Sequence, residues 1–582
     1  MATTNAGVAR ILQELADLMK LEEGSPQSFR VRAYEKAVAA VKELTTDVAE
    51  MSQSELVAVS GIGASTAKKI VEFVTTGTIE RVERLRTEYP PEFVELTRIP
   101  GVGPKTAVLM RAELGVENVE QLKAAVAANK VRELPGMGAK SEDKIARAIE
   151  RLGLHGKDRR TPIQQAMPLA RELVAAVESL PQVRRATYCG SLRRFRDTIG
   201  DIDIVAASNE PLPVMEAFLA LPIVAEVIGR GDTKSSVLTA AGLQIDLRVV
   251  SPSEYGAATL YFTGSKAHNI ELRQRAIDHG WTLNEYSLAD AETEAVISSR
   301  TEKSVYEALG LRYIAPELRE GIGEIEAAAT NDLPRLVEIE DVKGDLHVHS
   351  TWSGDGRSSL DEMVAAAADR GLEYIAMTEH GEDLTINGLS RQEVAAEAIE
   401  LERLRGEYSN VTILHGSELN IGPDGGLDYD FDFLMAYDWC VASVHSHFDL
   451  PQARQTDRLL AAIAHPAVNV IGHPTGRMIG RRPGIEFDLD AVLEAAAETG
   501  TALEINCHLD RLDLPAEMLR HAGERDDVVF IISTDSHHIR EYDHLQWGVA
   551  NARRGWVDRR HVANTWSKDR FLKWAALQRE RA

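Results

Sequence analysis

Residues 189–205, CGSLRRFRDTIGDIDIV, read as a Gly-Ser turn, an arginine-rich loop and a short strand bearing Asp201 and Asp203. On a strand, residues two apart point to one face, so these carboxylates converge. Convergent carboxylates are what a pair of Mg²⁺ ions needs. A third should come from a neighbouring strand, and Asp246 in the apolar-flanked run LQIDLRVV is the best candidate. Arg248 shares Asp246's face and is placed to orient a carboxylate. An isolated Asp-x-Asp is most often a solvated strand edge. Here a Gly-Ser turn precedes it, and a second Asp-x-Arg strand and YFTGS follow.

Taken together, GSLRR…GDIDIV, IDLR, YFTGSKAHNIELR and TLNEYSL resemble the catalytic core of family X DNA polymerases. With the flanking segments included, the resemblance covers essentially the whole chain, in the bacterial and archaeal form that ends in a PHP phosphoesterase domain. It implies that Gly190, Ser191 and Arg194 bind the triphosphate of an incoming nucleotide. Asp201, Asp203 and Asp246 would be the catalytic carboxylates, holding two Mg²⁺ or Mn²⁺ ions. Tyr261 and Phe262 would line the sugar pocket, Gly264 would bring backbone close to the nucleotide, and Asn269 and Arg273 would face the minor-groove side. Without that context Tyr-Phe reads as an ordinary strand pair. Lys266 stands where animal members carry an acid.

The chain has 582 residues, enough for several domains with their own cores. Its 44% hydrophobic and 27% charged content is ordinary for a soluble protein. Cys189, Cys440 and Cys507 form no CxxC pair, which argues for a reducing cytosol and against a disulfide scaffold. The sequence shows neither a signal-peptide core nor an apolar run long enough to span a bilayer, so a cytoplasmic monomer is expected. A net charge of −25 does not suggest a nucleic-acid partner. The charge is uneven, however: residues 1–160 hold 24 Lys+Arg against 23 Asp+Glu, leaving −26 on the remainder. Acidic metal sites account for part of that excess, because bound ions neutralise ligands that formal counting leaves negative.

Residues 1–50 show apolar residues at helical spacing, such as Val8, Ile11, Leu12 and Leu15. Three similar turns follow: SGIGAS at 60–65, PGVGPK at 100–105 and PGMGAK at 135–140. Each is Gly-apolar-Gly between helical runs, the helix-hairpin-helix pattern. Gly61 with Gly63, Gly101 with Gly103, and Gly136 with Gly138 would let the opening amides of the second helix meet a DNA phosphate. Such contact reads no bases and needs little positive charge. The third turn is the weakest, since acidic SED opens its second helix. Lys69 matches the Schiff-base lysine of family members with 5′-deoxyribose-phosphate lyase activity. The plainer reading is a lysine beside DNA phosphate.

RLGLHGKDRRTP at 151–162 reads as a hinge, and TNDLPRLVEIEDVKGD at 330–345 as a polar connector whose second half alternates like an edge strand. Beyond it come seven apolar runs with polar ends: GDLHVHS, YIAMTEH, VTILHGSEL, CVASVHS, VNVIGHP, TALEIN and VVFIISTDSHH. Helical patterns separate most of them, which implies a parallel sheet, here a barrel with its site at the strand C-termini. Imidazoles and carboxylates at strand ends suit Zn²⁺, Mn²⁺ or Fe. The pattern looks like a PHP domain. That resemblance implies a Mn²⁺ or Zn²⁺ cluster of three ions on His347, His349, Asp355, His380, Glu418, His445, His473, Asp535 and His537. The second run has TEH where TDH is commoner. Arg477, Arg481 and Arg482 follow His473 and suggest phosphodiester binding, with Arg477 as the leading DNA contact.

The expected architecture is multi-domain: an all-α helix-hairpin-helix region, an α/β nucleotidyltransferase palm and thumb, and a distorted (β/α)7 barrel. The expected boundaries are a lyase-like domain at 1–90, a fingers-like subdomain at 91–160, palm 161–250, thumb 251–330, linker 331–341 and PHP domain 342–582. The expected function is gap-filling DNA polymerisation from dNTPs on gapped or primer–template DNA, with a 3′–5′ exonuclease that also acts at abasic sites or 3′-phosphates. Two alternatives remain open: a small-molecule nucleotidyltransferase joined to a phosphatase, and a DNA-binding protein with one or neither site active.

Overall fold

The structure is a computed structural model and describes residues 5–23, 28–43, 48–59, 61–97, 99, 101–152, 160–384 and 386–580. Ser60 and Pro100 of the glycine turns, and most of the hinge at 151–162, lie outside the described residues. The chain divides into two compact units, Met1–Arg159 and Arg160–Ala582.

The first unit is helical throughout its described residues, from Asn5–Glu23 to Ala139–Leu152. The helical-spacing stripe becomes its core: Val8, Leu12 and Leu15 are buried with Leu85, Phe93 and Met110. Each glycine turn anchors through its middle residue. Ile62 and Val102 are buried, whereas Gly61, Gly63, Gly101, Gly103, Gly136 and Gly138 are exposed.

The second unit begins with the palm. Helix Ile163–Glu178 lies against a five-stranded sheet ordered Arg185–Tyr188, Asp201–Ala207, Gln244–Val250, Lys234–Thr239 and Val224–Arg230. Only the second and third of these strands run parallel. The thumb follows, with helices Tyr255–Thr263 and Lys266–Asp278 and a small antiparallel sheet, Trp281–Leu283, Leu288–Asp290 and Val296–Ser298. Tyr261 and Phe262 thus lie on a helix, not on a strand. Their aromatic β-preference yields to a segment buried along Tyr255–Leu260, a reminder that such preferences follow context.

The seven apolar runs form seven parallel strands in chain order: Gly344–Val348, Tyr374–His380, Thr412–Asn420, Trp439–Ser443, Val470–Gly472, Ala502–Asn506 and Phe530–Ser533. A parallel bridge between Val348 and Ser536 brings the last strand back to the first. The strand Tyr374–His380 is buried at every position, as a parallel strand covered on both faces requires. The connector differs from expectation. LVEIEDV holds a short 3₁₀ turn, Ile339–Asp341, because the alternating residues meet no partner strand.

The connector does not separate independent cores. Ile479, Leu512 and Trp547 of the barrel belong to the same buried cluster as Ile163, Phe195, Ile202 and Leu247 of the palm. Helix Leu545–Arg554 also sends Arg553 to Glu317 beside the thumb, at 3.2 Å. Removing the barrel would strip the palm of apolar burial worth about 1.5–3 kcal/mol per large side chain. A chain ending at Thr330 is therefore expected to melt lower than the full chain or to aggregate. Calorimetry and light scattering on the two proteins check this; a truncated chain as stable and monodisperse as the full one contradicts it. Among the described residues, no helix is long and apolar enough to cross a membrane.

Two candidate metal centres and a backbone-binding face

Strand register builds the palm centre. Asp201 and Asp203 alternate with buried Ile202, and Asp203 stands directly beside Asp246 on the adjacent parallel strand. Burial, reinforced by the charges of Asp201 and Asp246, pushes the Asp203 carboxyl up to about 7. Burial and Asp246 raise Asp201 as well. Acids forced together in this way fit divalent cations, which would relieve their repulsion. Gly190 has φ +64, and a Cβ there would lie 2.9 Å from Asp203 Oδ2, so the turn closes on the carboxylate only with glycine.

Two neighbours of the centre were missed in the sequence reading. Gln244 Nε2 donates to Asp246 Oδ1 at 2.8 Å, and Lys234 Nζ lies 3.3 Å from Asp246 Oδ2. Gln244 was findable, two residues before Asp246 on one face. Lys234 depends on cross-strand register and was not. Arg248 lies over the Phe262 ring at 4.2 Å, and its charge favours ionised Asp203.

The nucleotide residues divide. Leu260, Tyr261, Asn269, Arg273, Leu283 and Asn284 line a shallow, open recess. Within it Asn269 Nδ2 donates to the Tyr261 carbonyl at 2.8 Å, and Arg273 lies 5.1 Å from the Tyr261 ring centre. Ser191 lies in the short helix Gly190–Arg193, and Gly264 packs beside Arg194. Arg194 is not free in this arrangement. Its Nε donates to Glu320 at 3.1 Å and its Nη1 to the Thr263 carbonyl, so a phosphate would compete with a carboxylate for this guanidinium.

The barrel centre gathers all nine of its expected residues. Glu418 lies in the middle. Its Oε1 is 3.0 Å from His473 Nε2, 3.1 Å from His445 Nε2 and 3.4 Å from His347 Nε2. Its Oε2 is 2.9 Å from His380 Nδ1 and 3.6 Å from His349 Nε2. Asp535 Oδ1 lies 3.5 Å from His349 Nε2 and 3.7 Å from His347 Nε2. Asp355 joins at 3.3 Å from His380 and 3.6 Å from His537. Three sets of donors converge within 4.8 Å: His349–His380–His537, His347–His349–Glu418 and Glu418–His445–His473.

This donor set fits metal. The Nε2 atoms of His347 and His349 are buried without a hydrogen-bond partner, a costly state unless a cation takes the lone pair. Burial, with the charges of His537 and His380, lowers His349 to about 3, which keeps it a neutral donor. Burial would raise Glu418, but His445 and His347 hold it well below the carboxylate range. His473 and Asp535 have φ of 25° and 55°, a strain that persists where surrounding structure enforces it.

Outer partners, unremarked in the sequence, aim these rings. His347 Nδ1 lies 2.7 Å from Glu504 Oε1, His445 Nδ1 lies 2.7 Å from Asn420 Oδ1, and His537 Nδ1 lies 2.9 Å from the Asp535 carbonyl. Glu504 in TALEIN was legible as an acid inside an apolar strand. Glu379 of TEH does not support His380. It accepts from Ser350 and Ser353, and burial raises it to about 8.

Arg477 is committed to protein acceptors. Nε donates to the Arg511 carbonyl at 2.7 Å, Nη1 to Asp197 at 2.8 Å and Nη2 to the Leu512 carbonyl at 2.5 Å. Protein acceptors occupy all three nitrogens. Arg482 bonds the Gly476 carbonyl and covers the Phe448 ring, while Arg481 is exposed.

On the helical unit, Gly61, Gly101 and Gly136 have φ of +89°, +96° and +78°. Gly63 and Gly103 cap their helices without a side-chain bond, which leaves opening amides for an anion. The acidic start of the third helix is less adverse than it reads: Glu142 is buried, and its carboxylate accepts from Arg132. Lys69 forms an ion pair with Glu72 at 2.7 Å, which must open before the amine can attack a sugar.

Helix-hairpin-helix profiles match residues 3–79 and, as a SAM-like tandem, 93–151. The DNA polymerase beta thumb profile matches 258–320, and the PHP domain profile matches 345–508. A DNA polymerase/3′-5′ exonuclease PolX of Bacillus subtilis is 39% identical over 572 residues, 97% of this chain and 99% of that protein. The chain belongs to family X of the DNA polymerases. Its form is the one with a PHP domain, since the PolX match runs through both halves. Rat DNA polymerase lambda is 25% identical over 339 residues, 53% of this chain and 56% of the relative. A probable phosphatase of Syntrophotalea carbinolica is 34% identical over 168 residues, 28% of this chain and 64% of that protein.

In this family X chain the raised Asp203 carboxyl has a thermodynamic consequence. An acid near 4 when unfolded and about 7 when folded costs stability as pH rises through that interval. Metal-free Asp203→Asn should therefore melt higher than metal-free wild type at pH 8, with the gap closing toward pH 4. Differential scanning calorimetry in chelator checks it, and a gap independent of pH contradicts it.

Proposed function

We propose that the chain extends primers at the palm by template-directed DNA synthesis suited to short gaps, and removes 3′ nucleotides at the barrel as a 3′–5′ exonuclease. The observation that carries this reading is the presence of both acid-rich centres in one chain that aligns along nearly its full length with PolX. The helical unit supports a DNA partner, and the likeness to polymerase lambda supports gap filling.

At the palm, Asp201, Asp203 and Asp246 would hold Mg²⁺ or Mn²⁺. Gly190 and Ser191 would place the triphosphate, with Tyr261, Asn269 and Arg273 around sugar and base. At the barrel the nine ligands would hold Mn²⁺ or Zn²⁺, three ions on the three converging donor sets. Divalent cations at either centre supply charge that favours an ionised oxygen nucleophile and screens the phosphate under attack. The residues do the rest: Glu418 presents both oxygens to neighbouring donor sets, and Glu504 and Asn420 hold imidazole rings in one orientation. Arg511, whose Nε lies 4.0 Å from Asp535 Oδ2, takes the phosphate role first given to Arg477.

Asp203→Ala is expected to abolish primer extension while digestion continues. Glu418→Ala or His349→Ala should do the reverse, with fewer metal ions retained in elemental analysis. Arg511→Ala should slow digestion about tenfold or more, a charge-assisted contact being worth that much. Extension and digestion assays on one preparation of each variant check this. Joint loss of both activities from Asp203→Ala, or normal digestion without Glu418, contradicts it. Lys69 is a lyase nucleophile in this reading, so borohydride should trap a covalent adduct with 5′-deoxyribose-phosphate DNA that Lys69→Ala removes. Absence of the adduct reduces Lys69 to a phosphate contact.

A further inference from the structure

The loop that delivers Asp201 to the palm centre is held from two sides: Thr198–Ile199 pair with Thr161–Pro162 at the start of the palm, and Asp197 is anchored on the barrel. Asp197, four residues before Asp201, turns its carboxylate to two arginines of the barrel domain. Its Oδ2 accepts from Arg477 Nη1 at 2.8 Å and its Oδ1 from Arg554 Nη1 at 2.7 Å. Those guanidiniums are themselves fixed. Arg477 also bonds two carbonyls, Arg554 also reaches Glu517, and their side chains are only 13% and 4% exposed. The same loop presents Phe195, at φ +58, to stack on Trp547 with 6.0 Å between ring centres. The Asp197 carbonyl accepts from Ile163 N at 2.9 Å, which ties the loop to the start of the palm helix.

The geometry points to Asp197 as a positioning residue for polymerisation, through which the phosphoesterase domain sets where Asp201 and Asp203 stand. Its carboxylate bonds Arg477 and Arg554 and none of Asp201, Asp203 and Asp246. Its two fixed cationic partners make a rigid two-point anchor. Three residues separate that anchor from Asp201, and two of them, Thr198 and Ile199, are a strand paired with Thr161–Pro162, so the short span passes a shift on rather than absorbing it. Misplacing a reacting group by about 1 Å costs on the order of 100-fold in rate. The Arg477 end of the anchor lies four residues beyond His473, so one ion pair joins loops leaving both centres.

The inference rests on the palm being the polymerase site. Extension by wild type and its loss in Asp203→Ala establish that separately. Asp197→Asn keeps the side chain's shape but leaves two guanidiniums facing a neutral amide. In the full-length chain, single-nucleotide gap filling is measured against Mn²⁺ and dNTP concentration, with melting temperature and DNA affinity alongside. Asp197→Asn should lower kcat about tenfold or more and raise the half-saturating Mn²⁺ concentration, with KM for dNTP and DNA affinity within about twofold of wild type. Asp197→Glu should recover part of kcat. Arg554→Met should add little in the Asp197→Asn background, because both remove one interaction. Wild-type kcat and Mn²⁺ dependence in Asp197→Asn overturn the proposal. So does a loss of kcat that tracks only the folded fraction. If Asp197→Asn does not fold, Arg477→Met leaves one cation on the carboxylate and serves the same test. Wild-type behaviour there overturns the proposal equally.

Discussion

The crowding of ionisable side chains into one buried place is the constraint on which the second unit depends. At the palm, parallel register sets Asp203 beside Asp246, and burial, with the charges of Asp201 and Asp246, raises the Asp203 carboxyl. At the barrel, Glu418, Asp535 and Asp355 share a space with six imidazoles. Such arrangements survive only where the backbone has no room to relax. The barrel centre accordingly sits at the ends of strands buried on both faces, and its ligands His473 and Asp535 carry backbone strain as well as charge. The overall charge of −25 then reads differently: part of it belongs to carboxylates gathered in two metal-type centres rather than to a surface that repels DNA.

Rigid strands position side chains only if the sheets themselves are held. Helix Leu545–Arg554 performs this for three bodies. Trp547 enters the palm core, Val549 and Ala552 enter the barrel core, and Arg553 reaches Glu317. Glu302 adds a second tie across the polymerase half, accepting from Arg193 of the palm and Arg319 of the thumb. Despite burial, these cations hold its carboxyl down to about 2. The polymerase half therefore borrows stiffness from the phosphoesterase half.

Legibility in the sequence followed how local each feature is. Seven apolar runs with ligating ends became seven parallel strands, because a fully buried strand writes its burial into every residue. Gly-apolar-Gly turns were equally plain. Features that depend on a distant partner were not. Arg477 looked like a phosphate contact because nothing near it in sequence accepts its protons; its acceptor Asp197 lies 280 residues away. Lys234 meets Asp246 through strand pairing, and Asn420 meets His445 through ring orientation, neither of which periodicity records. Alternation in LVEIEDV suggested a strand, but alternation describes a side-chain pattern, and a strand also needs a neighbour to bond.

The glycine turns of the helical unit offer main-chain amides to phosphate where many DNA-binding surfaces offer lysine and arginine. An amide dipole holds an anion without expelling a condensed counter-ion in proportion, so little of the binding free energy comes from ion release. Affinity built this way declines gently with ionic strength. A repair polymerase that binds through such turns would keep its hold on a gap at salt concentrations that loosen proteins relying on cationic patches.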